Sequence, residues 1–375
     1  MLASALLEKL HAFFPDAAID LVVHKGNDGL YAGHPFLRKL YVWDKRNGKN
    51  RDLFRLVKEF REQRYDHVIN AQRFFSTGLM TVLSGGKETI GYDKNPLSFL
   101  FSRKVKHAIP DWKALQGSYS SGSPSGDPEG ALQASFKHEV DRLNDLIEHL
   151  TDGERPMPRL YPTAEAREKV RITLDSRLIA TAPSGPLEED PVGSHPYPQG
   201  PQGETLREIR EDGAYITIAP ASVWFTKQWP AEKWIELIKL IPADRRVLLI
   251  GGPGDAALCE RVAHEAGRGE VLAGKLSLLE TAALMEGAVM NYVNDSGPLH
   301  IASAMNAPVT AVFCSTVPAF GFGPLRPNGR VVQYKGPLYC RPCGLHGHKT
   351  CPEGHFKCAV DIGVREVLGG QDLRS

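Results

Sequence analysis

Apolar side chains at Leu6, Leu7, Leu10, Phe13 and Phe14 recur at helical spacing, so the chain opens on a helix that Pro15-Asp16 stops. Strand-like runs follow at Ile19–Val23, Leu40–Trp43, His67–Asn70 and Thr89–Gly91, separated by helical stretches such as Leu53–Gln63 and Phe74–Leu83. A helical run from His138 to Leu150 closes this first half. The alternation resumes with strands at Tyr215–Ile218, Val247–Ile250, Ala288–Tyr292 and Val309–Phe313, and helices at Ala231–Leu240, Asp255–Ala266, Ser277–Glu286 and Pro298–Met305. Ile362–Leu368 reads as a short terminal helix. Two polar segments rich in Gly, Pro and Ser, Gly117–Gly130 and Ser184–Gly203, are expected to be surface loops. Such βα alternation predicts parallel sheets covered by helices. The expected division is an N-terminal domain over 1–160, a linker with the Pro/Gly-rich insertion over 161–213, and a C-terminal domain over 214–375 ending in a cysteine-rich tail. One element of the pattern is missing. In a doubly wound domain a central strand precedes the first helix, yet nothing precedes it here, and the expectation is that the true start lies upstream. Loss of that strand would leave its neighbours with unpaired backbone groups in the interior.

At 375 residues the chain suits two domains, and two domains imply a cleft. A formal net charge of +1 provides no broad basic field, which argues against nucleic acid as a partner. No apolar run approaches the roughly 20 residues needed to span a bilayer. The apolar opening from Met1 to Leu7 is broken by Glu8 and Lys9, so the expected location is the cytoplasm.

Three loops carry candidate chemistry. Asn294-Asp295-Ser296-Gly297-Pro298-Leu299-His300 follows an apolar strand and opens a helix, where free backbone N–H groups and the helix dipole favour a phosphate. An ordinary helix cap by Asp295 or Ser296 explains the same residues. Ala219-Pro220-Ala221-Ser222-Val223-Trp224-Phe225-Thr226-Lys227-Gln228-Trp229-Pro230 also links a strand to a helix. Its Lys227 is suited to neutralising charge on a departing phosphate, although a lone loop lysine is more commonly just solvated. Gly251-Gly252-Pro253-Gly254-Asp255 is a turn whose carboxylate is suited to ribose hydroxyls. All three loops leave the C-terminal ends of strands in one domain, the edge where open α/β sheets bind ligands, and their convergence says more than any one of them.

Gly274-Lys275-Leu276-Ser277-Leu278-Leu279-Glu280, Asn294-Asp295-Ser296-Gly297-Pro298-Leu299-His300-Ile301-Ala302 and Lys227-Gln228-Trp229-Pro230 together resemble glycosyltransferase family nine, the ADP-heptose:lipopolysaccharide heptosyltransferases. Phe14-Pro15-Asp16-Ala17, Gly33-His34-Pro35 and Asn70-Ala71-Gln72-Arg73 fall in the family's order upstream. The resemblance implies a GT-B fold, two facing Rossmann-like domains with the donor in the C-terminal one. It implies that Ser222 and Lys227 contact the diphosphate, Asp295 the transferred sugar, and Ser296, Gly297 and His300 the phosphates and their surroundings. Asp255 is a looser match to an acidic ribose contact, and Gln72 and Arg73 belong to the acceptor-side loop.

The implied reaction is metal-independent inversion at the anomeric carbon, with an ADP-sugar as substrate and no cofactor. The implied acceptor is a lipid-linked core oligosaccharide reached by transient contact with the inner face of the membrane. By resemblance the general base is an Asp in the loop before the first helix, upstream of Met1; Asp16 and Asp28 match other places in the pattern. Two alternatives stay open: a nucleotide-sugar epimerase of the same fold, and a donor-binding relative lacking the base.

Among 13 histidines only His300 is singled out, and Trp229, just before a helix, is expected in the core. Cys340, Cys343, Cys351 and Cys358 crowd together with His346, His348 and His355 among them. Only the first pair has zinc-site spacing, so reduced structural thiols are expected ahead of a metal.

Overall fold

The computed structural model describes residues 1–46, 48–113, 115–116, 137–175, 214–325 and 329–369. The two polar segments, Gly117–Gly130 and Ser184–Gly203, lie outside them.

The N-terminal half opens on helix α1 (Ser4–Phe13) and continues through β1 (Ile19–His24), β2 (Leu37–Trp43), α2 (Lys49–Gln63), β3 (His67–Asn70), α3 (Phe75–Leu83), β4 (Glu88–Tyr92), β5 (Arg103–Val105) and α4 (Glu139–Asp145). Its strands form two separate parallel sheets, β1-β2 and β3-β4-β5. A doubly wound sheet would place one further strand between β1 and β3, and among the described residues none lies there. The β1-β2 and β3-β4-β5 sheets are accordingly not joined by any strand among the described residues. Helix α1 serves both cores: Leu6 packs with Ile90, Tyr92, Leu143 and Ile147, while Leu7 joins the larger core that includes Ile19, Leu279 and Leu299.

Helix α5 (Ala164–Asp175) opens the stretch expected as a linker. It docks on the C-terminal half through the Lys169–Glu280 ion pair at 3.0 Å, the Arg167–Glu286 pair, and the Leu174 carbonyl, which accepts from Arg246 at 2.8 Å.

The C-terminal half runs β6 (Tyr215–Ala219), α6 (Ala231–Leu240), β7 (Arg246–Leu249), α7 (Ala256–Ala266), β8 (Glu270–Val271), α8 (Leu278–Gly287), β9 (Met290–Asn294), α9 (Gly297–Ala304), β10 (Val309–Phe313), β11 (Arg330–Gln333), and the short helices α10 (Lys357–Val360) and α11 (Val364–Leu368). Strands β6, β9 and β10 are buried along their whole length, as an apolar strand between two helical layers must be. Ser277 and Glu280 form the capping box that starts α8, with Glu280 accepting from the Ser277 amide at 2.7 Å. Gly267, at φ +73°, ends α7. The sheet is all parallel, in the order β11-β10-β9-β6-β7-β8. In that order the chain reverses its direction of travel between β6 and β9. A crevice opens at such a point, outside the carboxyl ends of the strands.

Candidate active site

Lys227 and Asp295 come from the two strands that flank this crossover. Beyond β6 the chain makes a short turn, Phe225–Lys227, before Pro230 leads into α6. Beyond β9 it reaches Asp295 and enters α9. Asn294, fully buried, ties the two loops together: its side-chain oxygen accepts from the Trp229 amide at 2.9 Å and its amide donates to the Pro220 carbonyl at 2.8 Å. Lys227 Nζ then lies 2.7 Å from Asp295 Oδ2, and the Thr316 hydroxyl, from the loop after β10, donates to the same oxygen at 2.6 Å. The pair is largely sheltered, which strengthens its attraction and fixes both side chains.

The sequence left open whether Asp295 or Ser296 merely caps α9. Neither does. Asp295 is engaged with Lys227 and Thr316, and Ser296 makes no capping bond; its hydroxyl points back to the Asn294 carbonyl at 3.4 Å. Gly297 is exposed at the helix start, with Pro298 following where its lack of an N–H costs nothing. His300, one turn on, is covered enough that burial pushes its imidazole down to about 4, so it is neutral at pH 7. Its Nδ1 has no hydrogen-bond partner among the described residues, and its ring faces Phe322 at 6.1 Å.

The cysteine-rich tail supplies the wall behind Lys227. Thr226 is buried, and its hydroxyl accepts from the His348 amide at 2.8 Å and from the Ser315 hydroxyl at 3.1 Å. The Thr226 amide returns a bond to the His348 carbonyl at 3.1 Å, and the Cys343 amide donates to the Ser315 carbonyl at 2.8 Å. Gly347 passes so close that a Cβ there would sit 2.9 Å from Thr226 Oγ1 and 3.1 Å from Lys227 Cγ; its φ of +79° also belongs to glycine. Arg341, fully buried, donates to the carbonyls of Cys314 at 2.8 Å and Thr316 at 2.9 Å, and so holds the loop that carries Ser315 and Thr316.

The other sequence candidates lie around this centre or apart from it. Ser222 is partly exposed on the β6 loop, and its carbonyl accepts from Gln228 at 2.6 Å. The Asp255 carboxylate accepts from the Gly252 amide at 2.7 Å and closes its own turn at the end of β7. Gln72 and Arg73 follow β3 in the N-terminal half. The Gln72 amide donates to Asn70 Oδ1 at 2.9 Å, its side-chain oxygen is buried without a partner among the described residues, and Arg73 is exposed. Trp229 is buried and meets Trp234 edge-on at 4.9 Å, the core position expected of it.

Thr316, Thr226, Gly347 and His348 escaped the sequence reading. Thr316 was within reach, because it leaves the C-terminal end of β10, a strand the hydrophobic pattern had located. The sequence marked His348 only as a neighbour of the crowded cysteines; its contact with Thr226 spans 122 residues of chain. In the tail, Cys340, Cys343, Cys351 and Cys358 are free thiols, and burial pushes Cys343 up to about 11 and Cys358 up to about 12. Among the described residues no three His, Cys, Asp or Glu side chains are grouped to hold a metal ion.

The profile of glycosyltransferase family 9 (heptosyltransferase) matches residues 131–356. Over 329 residues, 84% of this chain and 80% of the relative, the sequence is 23% identical to lipopolysaccharide heptosyltransferase 3 of Escherichia coli. The fold superposes on the E. coli ADP-heptose heptosyltransferase II at a TM-score of 0.66 and 17% identity, covering 98% of this chain and 92% of that one. It superposes on an E. coli heptosyltransferase solved with ADP at 0.58 and 19%, covering 88% of each. The parallel α/β architecture is thus that of the GT-B heptosyltransferases. The chain belongs to glycosyltransferase family 9, the heptosyltransferases, and is a glycosyltransferase.

Proposed function

We propose that the enzyme transfers a heptose, or a closely similar sugar, from an ADP-sugar to a lipopolysaccharide core or lipid-linked acceptor, with inversion and without a metal. The observation that carries this reading is the meeting of Lys227 and Asp295 at 2.7 Å where β6 and β9 diverge. Support comes from the solved relatives described as an ADP-heptose heptosyltransferase and as holding ADP, and from the relative named for lipopolysaccharide. In this reading the acceptor hydroxyl attacks the anomeric carbon, the bond to the diphosphate breaks with its electron pair leaving on ADP, and the hydroxyl proton passes to a general base. Lys227 and the N–H groups at the start of α9 meet the charge that grows on the diphosphate. Asp295 holds Lys227 in place and faces the sugar, while Ser222, Ser296, Gly297 and His300 surround the phosphates. His300, being neutral, serves as a hydrogen-bonding group and adds no charge. Asp255 contacts the ribose, and Gln72 and Arg73 serve the acceptor side.

The test is transfer of radiolabelled heptose from ADP-heptose to a heptose-deficient lipopolysaccharide core. Labelled core and stoichiometric ADP are expected. Conversion of ADP-heptose in the absence of acceptor, with no labelled core, would point to an epimerase instead.

A further inference from the structure

The N-terminal half carries an apolar face that its own core does not use. Phe74 and Phe75, where β3 gives way to α3, are 63% and 56% exposed, and Phe99 and Leu100, between β4 and β5, are 70% and 51% exposed. The two segments form one neighbourhood. Asn95 is buried between them and donates to the carbonyls of Gln72 at 3.2 Å and Phe74 at 3.0 Å, and Gly78 of α3 lies against its side chain. Beside them Lys45, at the end of β2, stands over the rings of Trp43 at 4.5 Å and Phe74 at 5.7 Å, and Lys45, Phe74, Phe75 and Ser76 line a shallow pocket. Large side chains left in water on consecutive loops mark a contact surface.

Charge identifies the occupant. From Gln72 to Pro110 the sequence holds Arg73, Lys87, Lys94, Arg103, Lys104 and Lys106 against Glu88 and Asp93; Lys87 pairs with Asp66 at 2.7 Å and Arg103 with Glu88 at 3.2 Å. Arg73, Lys94, Lys104 and Lys106 are exposed. Asp44 pairs with Lys25 at 2.9 Å, and Asp93, which accepts from the His107 amide at 2.9 Å, is one carboxylate against these four exposed cations. The whole chain is nearly neutral at +1, so this local excess is a feature of the face and not of the composition. Aromatic side chains among lysines and arginines suit the boundary of an anionic bilayer, with rings entering the headgroup layer and cations meeting the phosphates.

We propose that Phe74, Phe75, Phe99 and Leu100, with Lys45, Arg73, Lys94 and Lys106 around them, dock the enzyme on an anionic lipid bilayer. This deepens the functional reading above and rests on it, because Gln72 and Arg73 would then face the surface from which a lipid-linked acceptor is presented. Docking is peripheral: no helix among the described residues is long and apolar enough to cross a membrane.

The experiment is co-sedimentation of the full chain with vesicles of phosphatidylcholine alone and of phosphatidylcholine with one third phosphatidylglycerol, alongside titration with ADP. The protein is expected to pellet with the anionic vesicles, to be released by salt, and to stay in solution with the neutral ones. Phe99→Ser/Leu100→Ser and, separately, Lys94→Glu should each lower partition by about tenfold or more while ADP binding is kept. ADP binding also reports that each variant is folded. Any of three results would overturn the proposal: a parent protein that ignores anionic vesicles, equal binding to both vesicle types, or variants that bind like the parent. Sedimentation velocity showing that the same substitutions dissolve a dimer would assign the face to a second copy of the chain and overturn it as well. Loss of ADP binding by the parent protein would instead strike the functional reading and leave vesicle binding to be judged on its own.

Discussion

Three side chains meet at the crossover: Lys227 Nζ and the Thr316 hydroxyl both reach Asp295 Oδ2, at 2.7 and 2.6 Å. A hydrogen bond to a charged group contributes roughly 1.5–3 kcal/mol, so Thr316→Val should cost about tenfold or more in kcat/KM while the fold survives. Steady-state kinetics with ADP-heptose check this, and a Thr316→Val enzyme with parental kinetics would show that Asp295 needs no such support. Asp295→Ala is expected to act twice: it removes the proposed sugar contact and leaves a sheltered lysine unpaired, so transfer should fall by at least ~100-fold and thermal stability by about 1–3 kcal/mol. At this scale the sequence was informative about residues adjacent in the chain. Asp295, Ser296 and Gly297 stand together at a strand–helix junction that the hydrophobic pattern locates; the bond between Lys227 and Asp295 joins two loops far apart in the chain, and no periodicity encodes it.

At the scale of elements, the three strands that the hydrophobic pattern passed over are all at sheet edges. Strands β5 (Arg-Lys-Val), β8 (Glu-Val) and β11 (Arg-Val-Val-Gln) each close a sheet on one side. Edge strands are short and charged because an exposed apolar edge invites pairing with other chains, and that same composition hides them from a search for apolar runs. Strands β6, β9 and β10, buried on both faces, were legible for the opposite reason. The tail loop through Gly347 was illegible because its shape is set by contact with Thr226 and not by local propensity. Gly347→Ala combines a strained φ of +79° with a Cβ that must displace Thr226 or Lys227. The expected result is a rise of about tenfold or more in the dissociation constant for ADP, with a smaller effect on melting temperature. Calorimetry that finds unchanged ADP affinity would remove the tail from the site.

Over the whole molecule, buried imidazoles link stability to pH. His34 and His107 in the N-terminal half and His300 in the C-terminal half are each pushed down to about 4 by burial, and each has a ring nitrogen without a partner among the described residues. An unfolded histidine protonates near 6.5, so between pH 6.5 and 4 the unfolded chain binds more protons than the folded one. The stability these groups contribute is complete above pH 6.5 and drains away as the pH falls toward 4, by at most about 1.4 kcal/mol per pH unit for each imidazole. Urea midpoints at pH 7.5, 6 and 5 should fall in that order; a flat or rising series would mean the imidazoles are already charged in the folded protein. The parallel α/β architecture was legible from the βα alternation, and so was the separation of the N-terminal strands into two sheets among the described residues, because a doubly wound domain has a fixed strand order. What the alternation does not carry is the seam between the halves, where buried Arg142 of α4 donates to the Phe320 carbonyl at 2.7 Å across 178 positions.

Titration of the protein with ADP in a calorimeter, without added metal, bears most directly on the claim that the β6–β9 crossover grips a diphosphate. Saturable binding at one site per chain is expected, weakening at least tenfold in Lys227→Ala. No heat of binding from folded protein, or equal affinity in Lys227→Ala, would contradict it.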